Sequence, residues 1–160
     1  EILSGAGLDV YLLPRELPTP VLAFAVNKLN MDCGIMVTAS HNPAIDNGYK
    51  VYLGGTVEGI AYRGSQIIAP VDTDISKRIS EVKLPSPKGG SWKVVGEDLI
   101  AKYVESCAGN LREVHPQKII STAMHGVGTE TLLSVFDEAK FVGRRLWNLN
   151  ALRFADECRL

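Results

Sequence analysis

Cysteine is scarce. Cys33, Cys107 and Cys158 are the only three in 160 residues, and they stand far apart with no C-x-x-C spacing. That pattern excludes a disulfide framework and a cysteine-rich zinc site, and leaves small buried or incidental thiols. Any basic run is also missing: seventeen Lys and Arg face eighteen Asp and Glu, for a formal charge of -1. Without a row of cations to neutralise phosphates, nucleic acid is not an expected partner. No apolar stretch approaches the roughly 20 residues that span a bilayer, and the opening EILSGAGLDV lacks the basic start and long apolar segment of a secretory signal. A membrane is therefore not an expected partner, and a reducing cytoplasm is the expected compartment. What is present is 46% hydrophobic and 22% charged residues. This is enough apolar material for a core and too little charge for a disordered chain.

The length suits one ordinary domain or parts of two small ones. Residues 8–13, LDVYLL, read as a buried strand that starts almost at once, so the chain is expected to begin inside a domain. Thr19-Pro20 supplies an N-cap and a first-turn proline, and Leu22, Val26 and Leu29 follow at helical spacing, which predicts a helix over about 20–29. GIMVT at 34–38 reads as a buried strand that gives way to a polar loop at Ala39 to Pro43. Tyr49 to Leu53 predict a strand, Gly54-Gly55 a turn and Thr56 to Tyr62 a return strand. Asp72 is placed to cap a helix with Ile75, Ile79 and Val82 on one face. Residues 83–96 hold prolines and glycines without helical period and read as a linker. Beyond it Ile100, Tyr103, Val104 and Cys107 make an apolar helix face, Lys118 to Ala123 a strand, and Leu132, Val135, Phe136 and Ala139 a further helix. The expected fold is α/β, a mixed sheet with flanking helices in two incomplete domains, 1–82 and 97–160.

The chemistry concentrates in Thr38-Ala39-Ser40-His41-Asn42-Pro43 and Asp46-Asn47-Gly48-Tyr49-Lys50. Ser40 sits where a strand hands over to a loop, a common site position in α/β proteins, with an imidazole and an amide beside it. Gly48 lets the chain turn back, and Lys50 could bring an ammonium toward a phosphate on the same loop. The plainer alternative is an ordinary surface turn, with Ser40 and Asn42 bonded to local backbone and Lys50 solvated. His125-Gly126-Val127-Gly128 is a poor dinucleotide fingerprint, because Thr131 stands at the third glycine position and no acid follows at about twenty residues. Ser40 lies outside any G-x-S-x-G, which argues against a serine hydrolase, and His115 beside Pro116 reads as a solvated connector residue.

TASHNP followed by DNGYKVY resembles the phosphoserine signature of the α-D-phosphohexomutase superfamily, the phosphoglucomutases and phosphomannomutases. Pro18-Thr19-Pro20, Gly64-Ser65-Gln66 and Met124 to Gly128 are similar to its pattern as well. The resemblance covers roughly residues 8–140. It implies an intramolecular phosphotransferase that interconverts hexose 1-phosphate and hexose 6-phosphate by way of a hexose bisphosphate. Ser40 would then carry the phosphoryl group, the serine phosphate would ligate Mg²⁺, and His41 and Lys50 would lie near the transferring group, with Asn42 and Lys50 as candidate substrate contacts. For His41 the alternative is a structural hydrogen bond that holds the loop.

The superfamily enzyme has four domains, and the resemblance places this chain over the later part of the first and the start of the second. The aspartate-rich metal loop, the sugar-reading segment and the phosphate clamp have no counterpart here. The missing domains of the same parent are thus expected partners, and the unpaired domain edges are expected to expose apolar surface. Residues 141–160 depart from the pattern, with an amphipathic helix over Leu146 to Phe154 as one reading. A noncatalytic remnant or sugar-phosphate-binding module is the alternative function.

Overall fold

The computed structural model describes residues 1–43, 45–83, 89–111, 119–124, 126–141 and 146–150. It is α/β and divides into two compact units, one formed by residues 1–14 and 19–96, the other by residues 15–18 and those from 97 onward.

In the first unit a short helix α1 (Ile2–Gly5) precedes strand β1 (Tyr11–Leu12), helix α2 (Thr19–Lys28) and strand β2 (Cys33–Val37). Strand β3 (Tyr49–Leu53) runs antiparallel to β2 over five paired residues, from Cys33 opposite Leu53 to Val37 opposite Tyr49. Strands β4 (Thr56–Val57) and β5 (Ile60–Ala61) make a small hairpin, and β6 (Ser65–Gln66) pairs antiparallel with Tyr52 and Leu53 of β3. The main sheet is therefore β2-β3-β6, with the hairpin inserted between its last two members. Helix α3 (Val71–Glu81) and strand β7 (Lys93–Val94) complete the unit, β7 lying parallel to β1.

The core of this unit forms where α2 meets the sheet. Val21, Ala25 and Val26 of α2 are buried, together with Tyr52 of β3 and Tyr62. Pro20 occupies the first turn of α2, where its missing N–H leaves no intrahelical bond unmade. Gly34 is the buried residue of β2. A Cβ added there would lie 2.5 Å from Val26 Cγ2 and 3.1 Å from Leu22 Cγ, so the absence of a side chain sets how closely helix and strand approach.

In the second unit helix α4 (Asp98–Gly109) precedes strand β8 (Ile119–Met124), helix α5 (Gly128–Glu138) and strand β9 (Leu146–Asn150). Strand β9 runs parallel to β8, as expected when a helix carries the chain back over the sheet. Leu17 of the segment 15–18, Leu99 and Ile100 of α4, and Thr131 of α5 are buried here. Arg15 ties residues 15–18 to both helices, with Nε 3.3 Å from Glu97 Oε1 and Nη2 3.3 Å from Glu130 Oε1. Both carboxylates are solvent-exposed, so these pairs orient the segment and add at most about 1 kcal/mol each.

The expected α/β class with mixed pairing stands: parallel and antiparallel pairs both occur, in four small sheets among the described residues. Several expectations are corrected. Strand β1 spans two residues and Tyr11 and Leu12 are exposed, because its described neighbour is the equally short β7. Residues 93–94, expected within the linker, are that neighbour; Lys93 Nζ lies 5.2 Å from the centre of the Tyr11 ring and donates to its hydroxyl at 3.4 Å. Residues 84–88 of the linker lie outside the described residues. The return strand expected over 56–62 folds back on itself, and Ser65–Gln66 takes the place beside β3. Asp72 lies inside the first turn of α3, where Oδ1 accepts the Thr73 N–H, and Pro70 is the N-cap. The face of that helix is open to solvent at Ile79 and Val82. Residues 146–150 are a strand, since pairing with β8 satisfies their backbone groups; the rest of the expected helix, and Lys118, His115, His125 and Cys158, lie outside the described residues. Of the thiols read as buried or incidental, Cys33 is exposed and Cys107 is half-buried. Strand β2 is also less buried than its composition suggests: Ile35 is 41% and Val37 81% exposed.

Replacing Gly34 by alanine tests the close approach of α2 and β2. The added methyl should force Val26 and Leu22 aside and destabilise the first unit by about 1–3 kcal/mol, read as a lower midpoint in urea unfolding of the 160-residue chain. A midpoint equal to wild type would show that the helix yields without cost.

Candidate phosphoryl-transfer loop

Strands β2 and β3 are joined by a loop that carries the polar constellation up to Gly48, with Tyr49 and Lys50 opening β3, and its base is closed by backbone. The Thr38 N–H donates to the Gly48 carbonyl at 2.9 Å, which extends the ladder one step past Val37 and Tyr49. Gly48 is required by that closeness. A Cβ on it would stand 2.8 Å from the Thr38 carbonyl oxygen and 3.5 Å from Ala39 Cα.

Within the loop, three contacts fix its course. The Ser40 N–H donates to Thr38 Oγ1 at 3.0 Å. The Asn42 N–H donates to the Ala39 carbonyl at 3.1 Å, and the Asp46 N–H to the Pro43 carbonyl at 2.9 Å. The Asn42 side chain then spans the loop, Nδ2 donating to Asp46 Oδ2 at 3.1 Å. Ser40 itself has φ +59°, in the left-handed region. For a residue with a Cβ this conformation costs roughly 1–2 kcal/mol, of the same size as one net hydrogen bond, and such outliers concentrate at functional sites.

Ser40, His41 and Asn42 are all exposed, whereas Thr38, Ala39, Gly48 and Lys50 are half-buried. The nucleophile candidate is thus displayed on a corner whose base is anchored. Ser40 Oγ lies 3.4 Å from His41 Nδ1, and the imidazole accepts or donates there according to its tautomer. Lys50 is placed on β3 opposite Met36 of β2, four residues before Ser40 in the partner strand. Its ammonium makes no hydrogen bond or ion pair with a described residue, Ser40 included. The structure therefore brings His41 to Ser40, gives Asn42 a loop-bracing contact with Asp46, and leaves Lys50 without a fixed partner among the described residues.

At the other end of β2 Cys33 is exposed as a residue, but partial desolvation of its sulfur pushes the thiol up from its ordinary pKa, and the neighbouring Asp32 carboxylate adds to the rise. A raised pKa keeps that sulfur protonated at neutral pH, so it is not an activated nucleophile. No group of three or more His, Cys, Asp or Glu able to hold a metal occurs among the described residues. Asp46, a carboxylate of the loop itself, is engaged by Asn42. Mg²⁺ prefers octahedral oxygen coordination, commonly by carboxylates, phosphate oxygens and water. The described residues alone do not supply that set, and a serine phosphate would contribute one element of it.

Two features were within reach of sequence reasoning and passed over. Thr38 stands two residues before Ser40, the spacing at which a Ser or Thr hydroxyl takes up a backbone N–H. Asp46 stands four residues after Asn42, near enough for the side-chain pair once the loop closes.

Fold and loop together define an α/β protein that presents a serine hydroxyl on a strained corner between two antiparallel strands. The chain belongs to the phosphoglucomutase/phosphomannomutase family: residues 1–84 match the family's alpha/beta/alpha domain I. Among curated relatives, a probable phosphomannomutase of Haemophilus influenzae is 42% identical over 144 residues, which is 87% of this chain and 29% of that protein. A phosphoribomutase of Saccharomyces cerevisiae is 35% identical over 78% of this chain and 22% of its own length. A glucose 1,6-bisphosphate synthase of Homo sapiens is 34% identical over 84% of this chain and 23% of its own length. The chain thus spans less than a third of the length of each of these relatives.

Gly48→Ala tests the closure of the loop. Its methyl would collide with the Thr38 carbonyl, so the Thr38 N–H should lose its bond and exchange with solvent at least tenfold faster in amide hydrogen exchange. Unchanged protection at Thr38 would mean that the ladder does not depend on a bare backbone at residue 48.

Proposed function

We propose that this chain is the phosphoserine-loop portion of a phosphosugar mutase and that Ser40 is its phosphoryl carrier. The observation that supports this most directly is the placement of Ser40: an exposed hydroxyl at a left-handed corner, 3.4 Å from an imidazole nitrogen, on a loop braced from both limbs. The relatives named above are phosphosugar mutases and a sugar bisphosphate synthase, all of which suit such a carrier.

A mutase delivers a phosphoryl group to one sugar hydroxyl and recovers one from another, so the carrier must persist in water between the two steps. A serine phosphomonoester does so. In the transfer to Ser40 the Oγ–P bond forms as the sugar O–P bond breaks, the serine proton leaves to a neighbouring base and the sugar oxygen gains a proton. His41, in the tautomer with Nδ1 unprotonated, is the base that stands 3.4 Å from Oγ among the described residues. The transition state is loose, so positioning and charge stabilisation do most of the catalytic work. Lys50 is proposed to supply positive charge toward the transferring group, and Asn42 to keep the loop in shape more than to read the sugar. Mg²⁺ is proposed to neutralise charge on the serine phosphate in the complete parent, where other segments would add the ligands that the described residues lack. The substrate is proposed as a hexose phosphate exchanging its 1- and 6-positions through a hexose bisphosphate, in a cytoplasmic parent enzyme that supplies the remaining domains.

The 160-residue chain is incubated with glucose 1,6-bisphosphate and Mg²⁺ and its intact mass followed. A gain of one phosphate, abolished by Ser40→Ala at unchanged thermal midpoint, is the expected result, since a loop hydroxyl adds little to packing. Binding of the bisphosphate without any mass gain would instead favour a noncatalytic sugar-phosphate module. Lys50→Met keeps the aliphatic stem and removes the charge; phosphate uptake should slow on the order of tenfold to a thousandfold. An unchanged rate would return Lys50 to a solvated surface residue.

A further inference from the structure

We propose that Thr38 is a positioning residue: its hydroxyl holds Ser40 in the left-handed conformation from which Oγ is presented for phosphoryl transfer. This rests on the phosphoserine reading of Ser40. Side-chain packing cannot hold that corner, because Ser40, His41 and Asn42 are all exposed. The Ser40 Oγ–His41 Nδ1 contact at 3.4 Å joins two exposed side chains and leaves the backbone of residue 40 unheld, and the contacts that join Asn42 to Ala39, Asn42 to Asp46 and Asp46 to Pro43 do not touch residue 40. What takes up the Ser40 backbone N–H is Thr38 Oγ1, at 3.0 Å.

Thr38 is suited to that task because it belongs to the framework and not to the corner. It is half-buried, it follows directly on β2, and its own N–H is fixed to the Gly48 carbonyl at 2.9 Å. The hydroxyl is therefore referenced to the sheet, and through one bond it passes that reference to a residue with φ +59°. If the bond is lost, Ser40 is free to relax toward negative φ, where residues bearing a Cβ are more comfortable. The peptide plane then rotates, and with it the direction in which Cβ and Oγ leave the chain. An error of this kind, of about 1 Å at a reacting atom, is enough to cost roughly a hundredfold in rate. A hydroxyl is the needed chemistry and the methyl of threonine is not, so serine should serve in its place.

The test compares wild type, Thr38→Val and Thr38→Ser in the 160-residue chain by two readouts. In an isotopically labelled sample, Thr38→Val should move the Ser40 backbone chemical shifts away from left-handed values and raise its amide exchange at least tenfold, with the thermal midpoint little changed because that N–H can turn to water. Thr38→Ser should keep the wild-type shifts. In phosphate uptake from glucose 1,6-bisphosphate with Mg²⁺, Thr38→Val should lower the saturated rate tenfold to a hundredfold at an unaltered half-saturating concentration, and Thr38→Ser should stay within about twofold of wild type. Wild-type Ser40 shifts, or a wild-type saturated rate, in Thr38→Val would overturn the proposal. If wild type itself takes up no phosphate, that result counts against the phosphoserine reading in this chain, and the Ser40 shifts still decide whether Thr38 holds the corner.

Discussion

Everything distinctive in the first unit depends on the antiparallel pairing of β2 with β3. Because side chains alternate along a strand, a slip of one residue would turn Gly34 away from α2 and put Ile35 in its place. The helix could not then approach as it does, since even a single carbon at residue 34 meets Val26 at 2.5 Å. The same register determines that Thr38 ends opposite Gly48, and hence that the nine residues 39–47 must close from those two positions. The length and corner of the Ser40 loop are consequences of the ladder, not separate inventions.

Polarity and packing pull in different directions at the two ends of β2. Toward Cys33 the strand is tied into the unit: the Gly54 N–H donates to the Asp32 carbonyl at 2.9 Å, and Gly34 lies against the helix. Toward Val37 the packing fades and hydrogen bonds take over, through Thr38, Ala39, Asn42 and Asp46. This division leaves the loop both ordered and open to solvent. An apolar corner would be held by burial, which hides it, whereas a hydrogen-bonded corner can be both ordered and open to solvent.

The sequence made some of this legible and concealed the rest for physical reasons. Strands β2 and β3 and helices α2, α4 and α5 follow from apolar spacing, which reflects local geometry and survives in a small unit. The polar loop around Ser40 and the turn-back at Gly48 were readable from residue types, whereas residue types alone left a functional loop and an ordinary surface turn both open, and the resemblance to a family carried the functional reading. The fate of residues 56–62 and of 93–94 was not, because which partner a two-residue strand finds is decided by distant segments and not by its own composition. Residues 146–150 misled for a related reason: Leu146 to Phe154 suits a helix face, yet a neighbouring strand offers backbone groups that override a weak preference. The contacts of Thr38 and Asp46 needed the closed loop before their spacing had meaning.

Gly34 also has a mechanical consequence. Between most helices and the strands beneath them lies a cushion of side chains that can change rotamer and absorb small displacements. At Gly34 the Leu22 and Val26 side chains meet bare backbone. A sideways shift of α2 would therefore be passed to β2 with little loss, and β2 is the strand from which the Ser40 corner projects. The serine is soft to the touch of solvent and stiff with respect to the helix behind it, which makes α2 the lever by which forces in this unit would reach the hydroxyl.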